Sequence, residues 1–130
     1  MTGGKFEPKA PVELKEPVYT PISVGELAKA NGEGDKCYVA IQGIVYDVTG
    51  NKAYQPGGSY NVFAGKDASQ ALAKTSTKPE DVKPEWQHLE EKEQNVLRDW
   101  VTFFSKRYSI VGTVEGATNF TPEYAAKLAN

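Results

Sequence analysis

The sequence predicts an α+β domain of short strands and helices with a turn-rich loop of the kind that lines a pocket. Three observations carry this reading. Tyr38-Val39-Ala40-Ile41 and Ile44-Val45-Tyr46-Asp47-Val48 are β-branched and aromatic runs parted by Gln42-Gly43, the pattern of two short strands joined by a tight turn. Between Leu89 and Arg107 the apolar residues Val96, Leu97, Trp100, Val101, Phe103 and Phe104 recur at three- and four-residue intervals, while Glu90, Glu91, Lys92, Glu93, Arg98 and Asp99 suit a solvated face, so this segment is a helix. From Gly50 to Ser69 turn formers dominate and Pro56-Gly57-Gly58 forces a loop, the kind of segment that lines pockets.

The elements follow in order. Residues 1–22 hold Pro8, Pro11, Pro17 and Pro21 among charges, which favours an extended N-terminal arm over helix or central strand. Ser23-Val24-Gly25-Glu26 has the spacing of a capping box and opens a short helix through Ala30, stopped at Asn31-Gly32. After the strand pair and the loop, Asp67 or Ser69 can cap a helix through Ala71-Leu72-Ala73-Lys74. Thr75 to Pro84 is polar and holds two prolines, as a surface connection would. Ile110-Val111-Gly112-Thr113-Val114 reads as the closing strand, so the domain proper spans 23–115. Residues 116–130 form a tail in which Thr121-Pro122-Glu123 is a good helix start.

Composition narrows the function classes. With 15 Lys+Arg against 17 Asp+Glu there is no basic stripe to grip a phosphate backbone, so nucleic acid is not an expected partner. No apolar stretch approaches the roughly 20 residues that cross a bilayer, so no transmembrane segment is expected. The single cysteine, Cys37, forms no internal disulfide; it reads as a buried core residue in a reducing, cytoplasmic setting. His88, the only histidine, reads as an exposed surface residue.

Several motifs carry a resemblance. Tyr46-Asp47-Val48-Thr49, Gln55-Pro56-Gly57-Gly58 and Ala64-Gly65-Lys66-Asp67-Ala68-Ser69 are similar to the haem pocket of cytochrome b5, with Gln55 standing where that family carries its iron-binding histidine. A closer match is to the membrane-associated progesterone receptor family, which includes the fungal damage-response haem proteins. It rests on Tyr38 to Gly43, Lys52-Ala53-Tyr54-Gln55-Pro56-Gly57-Gly58-Ser59-Tyr60, Val62 to Ser69 and Lys106 to Gly112, and runs from about Ser23 to Val114. The resemblance implies a cytochrome b5-like fold, a small mixed sheet with short helices walling a haem pocket.

Ligand counting is consistent with a departure from cytochrome b5. Proteins anchor haem through His, Cys, Met or Tyr. Here the only methionine is Met1 and the only histidine is His88, so two-histidine ligation is excluded. Tyr54 and Tyr60 remain in the loop, six apart across the Pro-Gly-Gly turn. By spacing alone they either pack their rings around the turn, or one binds a metal while the other donates to its oxygen. A phenol with a free pKa of about 10 needs a cation such as ferric iron to ionise near neutrality.

The resemblance implies more than spacing can. It puts the iron ligand of haem b on Tyr60 and the hydrogen-bonding companion on Tyr54. Arg107 and Tyr108 match the family's basic-aromatic pair, and Asp67 matches an acidic residue that bears on haem binding, though Asp67 serves equally well as a helix cap. Gln55 replaces the glycine usual between Tyr54 and Pro56. The implied function is non-enzymatic: a five-coordinate, tyrosinate-ligated ferric haem in a regulator or haem donor for haem-thiolate monooxygenases of sterol synthesis. Haem stacking between two copies could give a homodimer. The location implied is cytoplasmic, or peripheral at the endoplasmic reticulum membrane. The alternative is a haem-free sterol- or lipid-binding or protein-interaction module on the same fold.

Overall fold

The computed structural model describes residues 14–129. Its four-stranded sheet has the order β1-β4-β3-β2, with β1 Pro21–Ile22, β2 Tyr38–Ile41, β3 Ile44–Asp47 and β4 Ile110–Val114. β2 and β3 form the expected hairpin, Ile41 facing Ile44. Its two central residues, Gln42 and Gly43, have φ of 52° and 82°, the type I′ geometry whose twist suits a two-residue hairpin. β4 runs antiparallel to β3 across a register shift at Val45/Tyr46, and β1 adds parallel to β4.

That last pairing changes the reading of the arm. Pro8 and Pro11 lie outside the described residues, but from Lys15 onward the segment is fastened to the sheet edge. Lys15 N donates to Ser109 Oγ at 3.0 Å, Val18 N to Ile110 O at 3.0 Å, and Thr113 N to Thr20 O at 3.0 Å. Gly112 permits the approach, because a Cβ there would sit 2.6 Å from Thr20 O. The prolines are compatible with this position, since an edge strand needs few of its own N–H groups.

Among the described residues four α-helices complete the fold: α1 Val24–Lys29, α2 Ser69–Ala73, α3 Glu91–Arg107 and α4 Pro122–Leu128. Ser23 caps α1 by accepting from Glu26 N at 3.0 Å. The reciprocal capping box belongs to α3, between Glu90 and Glu93. Thr121 Oγ1 accepts from Tyr124 N at the start of α4, so the helix start legible in the tail is used. Period-two alternation gives the sheet two faces. Val39, Ile41, Ile44 and Tyr46 join Leu72, Leu97 and Phe104 in the main core, and Ala40 and Val45 pack under Leu27 of α1. Cys37 is fully buried and His88 exposed, both as expected.

Candidate functional site

The loop between β3 and α2 builds one wall of a cleft, and α3 builds the other. In the loop, Gln55 O accepts from Gly58 N at 2.8 Å, and Gly57 has φ of 89°; with Pro56 before it, this is a type II turn. The turn folds the chain back so closely that a Cβ on Gly58 would collide with the carbonyl oxygens of Lys52 and Ala53. Tyr60 N then donates to Ala53 O at 2.8 Å. The six-residue spacing of Tyr54 and Tyr60 is thereby converted into neighbouring rings, 5.8 Å apart between centroids.

These rings line a cleft of about 390 Å³ together with Asn51, Ala53, Val96, Asp99, Trp100, Phe103 and Tyr108. That volume falls inside the roughly 300–1,000 Å³ range of small-molecule sites. Tyr54 is 2 % exposed, while Tyr60 is half-buried and its hydroxyl makes no hydrogen bond among the described residues. Burial holds the Tyr54 phenol well above its ordinary pKa, and the neighbouring phenols of Tyr108 and Tyr60 add to this. Tyr108, the residue that ends α3, is raised by burial as well; the Asn51 hydrogen bond and the Arg107 charge oppose that shift. Behind the cleft, Phe104 stacks edge-on to Tyr54 at 6.2 Å and lies 5.0 Å from the Tyr108 ring, tying the site to the core.

Three of the five expected site residues, Tyr54, Tyr60 and Tyr108, therefore meet. The other two do not line the cleft. Arg107 reaches it through Phe103, its guanidinium 4.4 Å above that ring. Asp67 sits elsewhere, along the turn of the β2–β3 hairpin. Its carboxylate accepts from Gly43 N at 3.0 Å, Ser69 N at 3.1 Å, Ser69 Oγ at 2.6 Å and Asn119 Nδ2 at 2.9 Å. Burial raises its pKa, and these four bonds pull the other way. It is not the N-cap of α2, which is Ala68, and Ser69 is the first helical residue instead of a cap. Gln55 also turns away, toward Gly32, where an added Cβ would meet Gln55 Oε1 at 3.1 Å.

Sequence reasoning did not single out Asn51, Asp99, Trp100 and Phe103 as lining residues. Trp100 and Phe103 were legible as the apolar stripe of α3, but which part of a stripe faces a cavity and which faces the core depends on how far the opposing loop stands off. For Asn51 the legible signal was its type and place: an Asn after Gly50 opening a turn, a frequent cap.

The cleft can accept an apolar ligand bearing acceptor oxygens, and its donor set suits haem. It offers three phenols, one of them half-buried at the opening, and its lining contains no histidine, cysteine or methionine. Elsewhere, no cluster of three or more potential metal ligands occurs among the described residues, nor is any helix there long and apolar enough to cross a membrane.

Comparison with known proteins agrees with this architecture. Residues 23–114 match the family model described as cytochrome b5-like heme/steroid binding domain. A probable steroid-binding protein 3 of Arabidopsis thaliana is 51% identical over 92 residues, covering 68% of this chain and 92% of that protein. The cytochrome P450 regulator dap1 of Schizosaccharomyces pombe is 38% identical over 109 residues, with 77% of this chain and 66% of that protein covered. Membrane steroid-binding protein 1 of Oryza sativa is 39% identical over 123 residues, which are 83% of this chain but only 53% of that protein. A solved Arabidopsis thaliana structure described as having a cytochrome b5 like fold superposes with a TM-score of 0.67 at 46% identity, covering 74% of this chain and 91% of that one.

Proposed function

The chain belongs to the family of cytochrome b5-like heme/steroid binding domains, and from that premise we propose that it is a non-enzymatic haem-binding regulator in which Tyr60 is the iron ligand. The observation that carries this reading is the pairing of a half-buried Tyr60 at the cleft with a buried Tyr54 beside it, 5.8 Å between ring centroids. Tyr54 is held protonated by burial, so it acts as a donor next to the ligand oxygen and never competes as a second anion. Tyr108 adds a second phenol, and Arg107 supplies positive charge behind Phe103, where it favours the ionised form of a nearby phenol or a haem carboxylate. Asp67 contributes at one remove, by fixing the hairpin turn against α2.

Haem bound here supplies a ferric centre of low reduction potential, since an anionic oxygen ligand favours the oxidised state. Apart from its tyrosines the lining of the cleft presents no usual haem ligand, and burial keeps Tyr54 and Tyr108 protonated, so we propose a five-coordinate haem b. It also presents no histidine for acid-base catalysis, which favours a regulatory role over turnover. The relative named as a cytochrome P450 regulator supports haem-thiolate monooxygenases as partners; we propose that these act in sterol synthesis and either receive haem from this protein or are held stable by it. An exposed haem face would be an apolar, self-complementary patch, suited to a haem-mediated homodimer. We place the protein in the cytoplasm with peripheral association at the endoplasmic reticulum membrane.

Absorption spectra of the haem-reconstituted protein and of Tyr60→Phe test the ligand. The variant should lose the tyrosinate-to-iron charge-transfer band and shift its Soret band; unchanged spectra move the ligand elsewhere. The names of the plant relatives favour one rival, a haem-free steroid-binding module. Protein that stays colourless through a haem titration yet binds steroid establishes that rival.

A further inference from the structure

Asn51 holds two groups at once. Its Oδ1 accepts from Ala53 N at 2.9 Å, capping the 3-10 turn Lys52–Tyr54 that carries Tyr54. Its Nδ2 donates to the Tyr108 hydroxyl at 2.6 Å. The first bond fixes the orientation of the amide, because a backbone N–H needs an acceptor and only the carbonyl oxygen is one. The second bond then has a fixed polarity. An amide NH₂ can only donate, so Tyr108 must accept and its own O–H proton is left for another acceptor. No other hydrogen bond of that hydroxyl occurs among the described residues, and both Asn51 and Tyr108 line the cleft.

We propose that Asn51 is a positioning residue that sets the polarity of the cleft: it commits Tyr108 to donating its proton to an oxygen of the bound ligand, and so selects ligands that present an acceptor oxygen there. In the haem reading, on which this rests, that acceptor is the iron-bound phenolate oxygen or a haem carboxylate. Both are anionic, and a donated proton stabilises either. The only charged side chain lining the cleft is the exposed Asp99, and Arg107 stands behind Phe103, so the phenols are the hydroxyl donors the lining itself offers an anion.

Asn51→Asp reverses the polarity while keeping size and cap. One carboxylate oxygen still accepts from Ala53 N, since Asp caps as well as Asn; the other now accepts from Tyr108, which must spend its proton on it. Ferric haem titrated into wild type, Asn51→Asp, Tyr108→Phe and the double variant gives a thermodynamic cycle. We expect each single variant to lose about tenfold in affinity and the double variant to lose little more than either, because both changes remove the same proton. A loss caused only by the added negative charge would persist in full in the Tyr108→Phe background, and additive losses overturn the proposal. A second measurement needs no haem: with ¹³C-labelled tyrosine in the folded apo protein, the Tyr108 phenol should ionise at higher pH in Asn51→Asp, and an unchanged titration also overturns the proposal. Wild-type protein that takes up no haem sinks the haem reading together with this one. Uptake through Tyr60 with unchanged affinity in Asn51→Asp sinks this inference alone.

Discussion

Replacing Asp67 by Asn separates a structural carboxylate from a cofactor-binding one. Ser69 Oγ accepts from Gln42 N at 2.7 Å and therefore passes its own proton to Asp67, which also receives the N–H groups of Gly43 and Ser69 and the amide of Asn119. Both central N–H groups of the type I′ turn thus end, directly or through Ser69, on one carboxylate. Asn is nearly isosteric, but one of its two positions becomes an NH₂ facing donors, and at least two bonds invert. Gly43, Ser69 and Asn119 are all buried, so water does not replace what is lost. At about 1–3 kcal/mol for each buried donor left unmatched, with some relief from no longer burying a carboxylate, the net cost should be about 2–4 kcal/mol. A chain of this length has about 7–15 kcal/mol in all, so the variant stays folded at 20 °C but melts roughly 8–15 °C lower. Urea unfolding followed by near-ultraviolet circular dichroism measures the cost, and a haem titration at 20 °C measures the site. Haem affinity should be unchanged. A variant within about 0.5 kcal/mol of wild type, or one that loses affinity without losing stability, would refute this reasoning and place Asp67 at the cofactor.

Alkaline pH should destabilise the fold through its phenols. Tyr46, Tyr54 and Tyr108 are all raised above the ordinary value by burial, so the folded state holds these protons more tightly than the unfolded chain. The stability linked to them is complete below about pH 10 and is lost as pH climbs through the folded values, so urea midpoints should be flat to about pH 9.5 and then fall. Midpoints that rise above pH 10 would contradict the burial. Cys37, with its Sγ donating to Tyr54 O at 3.4 Å and its pKa raised by burial, should react with a disulfide reagent only as fast as the protein opens; immediate labelling of native protein would count against it. Tyr19→Ala removes a ring 6.0 Å from that of Tyr124, with Lys127 Nζ 4.9 Å from its centroid, and should cost about 1–2 kcal/mol in thermal or urea unfolding. No measurable cost would show that the N-terminal segment and α4 are held independently.

Local rules made most of the fold legible. The hairpin followed from two β-branched runs around Gln42-Gly43, α3 from its periodicity, and the start of α4 from Thr121-Pro122. The parallel pairing of β1 was not legible, because two residues beginning with proline carry no periodicity, and their strand character comes from β4, nearly ninety residues later. At the site, Tyr54 and Tyr60 were legible because a type II turn brings their rings together within one loop. Tyr108 was named by resemblance and proved to share the cleft. Asp67, named the same way, belongs to a different set of contacts, since its partners Gly43 and Asn119 come from segments that only the folded sheet brings together. Asn51 was missed because its importance lies in the orientation of an amide, which only the position of both its neighbours determines.

The chain has two tryptophans, and the fold has given them different surroundings. Trp100 forms part of the cleft, whereas Trp86 is buried with its indole N–H donating at 2.7 Å to the backbone oxygen of Asn119, the residue whose side chain braces Asp67. With either one replaced by Phe, the emission of the other becomes a local probe. Trp100 should be quenched by a coloured ligand entering the cleft, and Trp86 should shift to the red when the loop around Asn119 comes loose, so occupancy and loosening can be followed separately by light alone.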